Sequence, residues 1–239
     1  MKSIVVLSLI VLTSLTSNIL AQQKMSTSQK LDPKQECIVA ISTLTATGNT
    51  ERLKLELNRG LESGLTINEI KEVLVQLYAY CGFPRSLNGI VTFMAVVDER
   101  KSYGKNDIEG KAASPISNSD KYQTGKQNLQ TLTGKTETTL TGANAFAPAI
   151  DIFLKEHLFA DIFSRDILSF QQRELVTISA LAAMQGVAAQ LQAHIGMAMN
   201  TGLTEVQITN TFLITDRLVN ISQGEIARAS LKKVIAAQK

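Results

Sequence analysis

The chain has 239 residues, a formal net charge of +3, 5% aromatic residues, no Trp and four Pro. So mild a positive surplus, without a clustered Lys/Arg stripe, argues against nucleic acid as a partner. The scarcity of aromatics and prolines suits helices better than a sheet sandwich, and the length suffices for one large domain or two small ones with a real core.

Met1-Lys2 gives a short basic start, Ile4 to Leu15 is an apolar run, and a small-residue region ends near Ala21-Gln22. This is the layout of a secretory signal peptide over residues 1–21, too short to span a membrane. No later stretch reaches the roughly 18 apolar residues of a membrane span. The expected location is secreted or periplasmic, with no span left after cleavage.

The first helix is predicted from Pro33, suited to a first turn, to Ala46, with Gly48-Asn49 breaking it. The second carries Leu53, Leu57 and Leu61 on one stripe and ends at Gly64. Thr66 with Glu69 forms a capping box for the third, whose inner face is Ile67, Ile70, Val73, Leu74 and Leu77. A fourth helix follows Pro84 and runs through Ile90 to Val97. Residues 101–121, rich in Gly, Ser, Asn and Lys, read as a mobile linker. Tyr122 to Leu132 is weakly helical. Ala147 to Phe163 reads as one amphipathic helix burying Ile152, Phe153, Phe159 and Phe163.

Beyond this point the chain repeats itself. At an offset of 138 residues Glu36 meets Glu174, Gly48 meets Gly186, Leu53 meets Leu191, and Gly64-Leu65-Thr66 meets Gly202-Leu203-Thr204. The matches fall at turns and on apolar faces, the signature of a duplicated helical module. Thr204 with Gln207 repeats the capping box. The domains are therefore drawn at 31–100 and 122–239, in an all-α fold.

Both histidines, His157 and His194, lie in the second half. His194 leans into the apolar stripe of its helix, and Glu174 sits on the preceding one. An antiparallel hairpin turning near Gly186 would bring them together. A Glu held against an inward His suits general acid/base chemistry, because the carboxylate orients the imidazole and favours its charged form. A packed core histidine beside a surface Glu is the plainer alternative. In copy one Glu36 remains, but Glu56 stands where His194 would. His157 reads either as a substrate-side group or as a helix-surface residue. His157, His194 and Glu174 lack the usual metal-ligand spacings, so no metal is expected. No nucleotide or serine-hydrolase motif occurs, and no cofactor is expected. For Cys37 and Cys81, buried free thiols are the simpler reading and a bridge stays open.

The Gly64-Leu-Thr segment, the Glu69/Glu72 helix and the segment Leu77-Tyr-Ala-Tyr-Cys-Gly-Phe-Pro-Arg-Ser-Leu-Asn88 resemble the carboxymuconolactone decarboxylase family. So do Phe159 to Leu168, Arg173-Glu-Leu-Val-Thr-Ile-Ser, Gln190-Leu-Gln-Ala-His194 and Asn200-Thr-Gly-Leu-Thr204. The resemblance implies two tandem domains of the AhpD-like helical fold, assembled as a homo-oligomer, a trimer being expected. It implies cofactor-free decarboxylation of a small carboxylated lactone, with Glu174 and His194 catalytic and Tyr78, Tyr80, His157 and Arg173 on the substrate side. The family's redox branch, of peroxiredoxin or alkylhydroperoxidase type, uses a CxxC before the His. Val187 and Gln190 stand there in copy two, and Asn49 and Arg52 in copy one. A non-catalytic oligomeric binding protein is the third reading. Copy two has Leu218 to Ser222 in place of the Tyr-Cys-Gly-Phe-Pro segment, so a complete site needs copy one's Tyr78 to Asn88 to reach copy two's His194.

Overall fold

Each capping signal read in the sequence begins a helix in the computed structural model, which describes residues 30–116 and 120–238. The signal-peptide segment lies outside the described residues. Copy one forms α1 (Pro33–Thr47), α2 (Thr50–Glu62) and α3 (Ile67–Ser102). Then come α4 (Lys121–Thr133), the short α5 (Gly142–Phe146) and α6 (Pro148–Ile152), and a π-helix (Phe153–Ile162). Copy two forms α7 (Phe170–Ala183), α8 (Ala188–Asn200), α9 (Glu205–Leu218) and α10 (Ile221–Ala237). Among the described residues there is no strand, and the fold is the all-α bundle expected.

The 138-residue offset holds in three dimensions, carrying α2 onto α8 residue for residue and the start of α3 onto the start of α9. Thr66 with Glu69 and Thr204 with Gln207 close reciprocal capping boxes. Gly64 and Gly202, at φ 89° and 98°, turn the chain into those caps. α3 is really two helices. Gly82, at φ 81° and ψ 158°, breaks it in a conformation open essentially only to glycine, and Pro84 starts the second part. That part folds back on the first, with Ser86 Oγ donating to the Leu74 carbonyl at 2.8 Å. In copy two the same break separates α9 from α10.

At the centre α1 packs along α7. Cys37 to Ala46 and Arg173 to Ala183 are buried without interruption, so both helices are wrapped on every side. Their buried hydroxyls turn inward to their own backbones: Ser42 to the Ile38 carbonyl, Thr177 to Arg173 and Ser179 to Leu175, at 2.6–2.9 Å. The core is shared by both copies, Ile41 and Leu44 packing in the same cluster as Val176 and Ile178.

Two expectations need correcting. Ala147 to Phe163 is not one α-helix: from Phe153 it widens into a π-helix, with the Phe163 amide bonded to the Leu158 carbonyl. The wider turn rotates the apolar stripe, so Phe159 and Phe163 are buried while Ile152 and Phe153 are exposed. Gly125 of α4 sits where an added Cβ would be 1.8 Å from the Lys155 carbonyl oxygen, so the two helices touch backbone to backbone. Nor is the linker a free tether. The carbonyls of Ile108 and Glu109 accept from the amides of Ile67 and Asn68 at the start of α3. Asp107 pairs with Arg100 on both carboxylate oxygens at 2.7 Å, and Ser114 and Lys111 bond Asp166.

Candidate active site

Ser169 caps α7, which sets Glu174 in its second turn; the chain reverses around Gly186 and returns along α8 to His194. The imidazole Nδ1 lies 2.8 Å from Glu174 Oε2. Glu174 is fully buried and His194 is 8% exposed. With Nδ1 donating to the carboxylate, the neutral ring carries its lone pair on Nε2, which makes no hydrogen bond among the described residues. Glu174 Oε1 is buried and unpartnered. Such a pair can give or take a proton at Nε2 while the carboxylate steadies the imidazolium.

The first part of α3, just before the Gly82 break, brings copy one's aromatics to meet it. Tyr80 sets its ring edge-on to the His194 imidazole, centroids 5.4 Å apart at 81°. Tyr78, two residues earlier, stacks on Phe83 at 4.4 Å and leans on His157 at 5.6 Å. His157 is half exposed and its Nδ1 lies 3.2 Å from Asp161, not from Glu174. No group of three His, Cys, Asp or Glu among the described residues is arranged to hold a metal ion.

Arg173 lies behind the pair, with none of its surface reaching solvent. Its guanidinium donates to Glu72 at 2.8 Å, to Gln76 at 2.9 Å and to the Arg165 carbonyl at 2.6 Å. Arg165 in turn holds both Glu72 oxygens at 2.9–3.0 Å, and Gln76 donates to Thr177 and to the Arg173 carbonyl. Burial pulls the Arg173 guanidinium below its usual value against the pull of Glu72. A substrate could reach Arg173 only by breaking this network, which ties the two copies together. Glu72 and Arg165 lie in segments that carry the resemblance, but neither they nor Gln76 was given a role in the site from sequence. A further signal for Glu72 was its place on α3 among apolar neighbours.

The counterpart in copy one is chemically different. Glu56 lies 2.7 Å from Arg59, and the backbone at the end of α9 is held by Arg52, bonded to the carbonyls of Leu218 and Arg217. Cys37 and Cys81 are free thiols. Burial raises the pKa of both, that of Cys81 to about 11. Two clefts, of about 590 Å³ around Gly186 and Ile226 and about 410 Å³ around Gly196 and Lys135, are not lined by Glu174 or His194.

A family model described as carboxymuconolactone decarboxylase matches residues 16–90 and 148–222. An uncharacterised protein of Methanocaldococcus jannaschii is 25% identical over 79 residues, covering 33% of this chain and 74% of that protein. The crystal structure of a candidate gamma-carboxymuconolactone decarboxylase subunit from Burkholderia xenovorans LB400 covers 90% of this chain and 82% of its own. It shares 20% identity at a TM-score of 0.49.

Proposed function

Because the chain belongs to the carboxymuconolactone decarboxylase family, with two family domains in tandem, we propose that it is a cofactor-free carboxy-lyase for a small carboxylated lactone. Glu174 and His194 are its acid/base pair. The observation that carries this reading is the buried 2.8 Å contact between them. In the reaction the bond to the carboxylate breaks and carbon dioxide leaves. The electron pair moves into the unsaturated lactone carbonyl, and the imidazolium Nε2–H delivers the proton that quenches the carbanion. Solvent then reprotonates the ring. Glu174 fixes the tautomer and holds the positive charge through the cycle. Tyr78 and His157 form the outer aromatic wall against which a planar ring can lie. We place this chemistry outside the cytoplasm, in a homo-oligomer.

Thiol peroxidase chemistry finds no support in the site: the pair has no CxxC beside it, and burial disfavours the thiolate of both cysteines. The test is carbon dioxide release from a carboxylated muconolactone, followed with the loss of the lactone's ultraviolet absorbance. Wild type should turn over. His194→Asn and Glu174→Gln should each lose about 10²–10⁴ in kcat with helical content unchanged. Equal rates in wild type and His194→Asn, or a wild type that binds the lactone without releasing carbon dioxide, would overturn the proposal.

A further inference from the structure

Tyr80 has two relations to the pair, one through its ring and one through its hydroxyl. The ring edge fixes the tilt of the His194 imidazole. The hydroxyl is buried and has no hydrogen-bond partner, and Glu174 Oε1, the acceptor left over from the contact with His194, is buried and unpartnered as well. An orphaned donor and an orphaned acceptor in one buried site are each costly, and each is the chemical complement of the other. Thr177, whose nearby hydroxyl pulls the phenol's pKa down, is already engaged by Gln76 and by the Arg173 carbonyl.

We propose that Tyr80 is a positioning residue for the acid/base pair: its hydroxyl serves the free oxygen of Glu174 and its ring holds the imidazole, so that copy one tunes a group carried by copy two. Burial, then the charge of Glu174, push the phenol far up. It therefore stays protonated and acts as a donor, never as a base. The charged groups around the pair come from three helices. Arg173 and Glu174 lie on α7, Glu72 on α3 and His194 on α8, with His157 and Asp161 of the π-helix beyond Tyr78. The terminal nitrogens of Arg173 are committed to Gln76, Glu72 and the Arg165 carbonyl. Of the two unpartnered buried donors here, Arg173 Nε and the Tyr80 hydroxyl, the hydroxyl is the one carried on a ring that packs against His194.

The inference rests on the acid/base reading above, and the experiment separates the two. In the full chain, Tyr80→Phe deletes the hydroxyl and keeps the ring, while Tyr103→Phe, at an exposed tyrosine outside the site, serves as the control. The readouts are the His194 Nδ1 proton resonance and the pH profile of lactone decarboxylation. In Tyr80→Phe we expect the resonance to move and the profile to shift by about half a pH unit or more. kcat should fall several-fold with KM within about twofold, and Tyr103→Phe should move neither the resonance nor the profile. Tyr80→Leu, which also removes the ring edge, should broaden the resonance further. An unmoved resonance in Tyr80→Phe, with the Glu174 contact still visible in wild type, overturns the role of Tyr80 and leaves the pair standing. A wild-type resonance indifferent to Glu174→Gln overturns both.

Discussion

Replacing Glu72 by Leu tests whether the buried network joins the two copies. Glu72 and Arg173 are 1% and 0% exposed and meet at 2.8 Å, so removing the carboxylate leaves a guanidinium in the core with only neutral acceptors, Gln76 and the Arg165 carbonyl. Breaking one side of such a pair costs about 3–5 kcal/mol. The Arg165 contact adds little to that figure, because Arg165 is 35% exposed and screened by water. For a chain of this size the loss corresponds to a fall in Tm of roughly 6–20 °C. Arg173→Met alone should cost less, since Arg165 still holds both oxygens of Glu72. The double variant Glu72→Leu/Arg173→Met buries neither charge and should recover most of the loss. Thermal and urea unfolding by circular dichroism give all three values, and the shared core should make the transition single. If Glu72→Leu unfolds within about 1 kcal/mol of wild type, or the double variant loses the sum of the singles, the network is not what joins the copies.

Gly125→Ala would drive a methyl group into the Lys155 carbonyl. We expect about 1–3 kcal/mol of destabilisation with α4 loosened from the π-helix, visible as faster amide exchange over residues 121–133 and unchanged exchange in α1. Both thiols should resist iodoacetamide in the native protein at neutral pH and react once it is unfolded, because Cys37 is buried and the Cys81 thiol is held up at about 11. Rapid native labelling of either, followed by mass spectrometry, would return weight to a peroxidase role.

The duplicated frame was legible because its signals are local: caps at Thr66 and Thr204, turn glycines at 48, 64, 186 and 202, and leucine stripes between them. The Glu174–His194 hairpin followed from helix geometry once the turn at Gly186 was placed. Other features depend on what the chain packs against. The π-helix requires the backbone approach at Gly125, which leaves no trace in the spacing of Phe153, Phe159 and Phe163. The burial of Arg173 depends on Glu72, about a hundred residues away. The linker's polar composition suggested freedom, yet those side chains and carbonyls find partners on α3 and at Asp166. The need for copy one's Tyr78 to Asn88 to reach His194 followed from the resemblance, but that Tyr80 is the residue set edge-on to the imidazole could be read only from the fold.

That meeting of the two copies also bears on ancestry. Two identical chains related by a twofold axis would each lend the other the same tyrosine and the same histidine, and any substitution would strike both sites at once. Joined in one polypeptide, the halves can drift separately. Here one position holds His194 with Tyr80 opposite, and its mate holds Glu56 near Arg52 and the end of α9. The tandem arrangement is lopsided: the buried Glu–His pair stands in one copy alone, and the matching place in the other is given to ion pairing and to bonds that hold backbone.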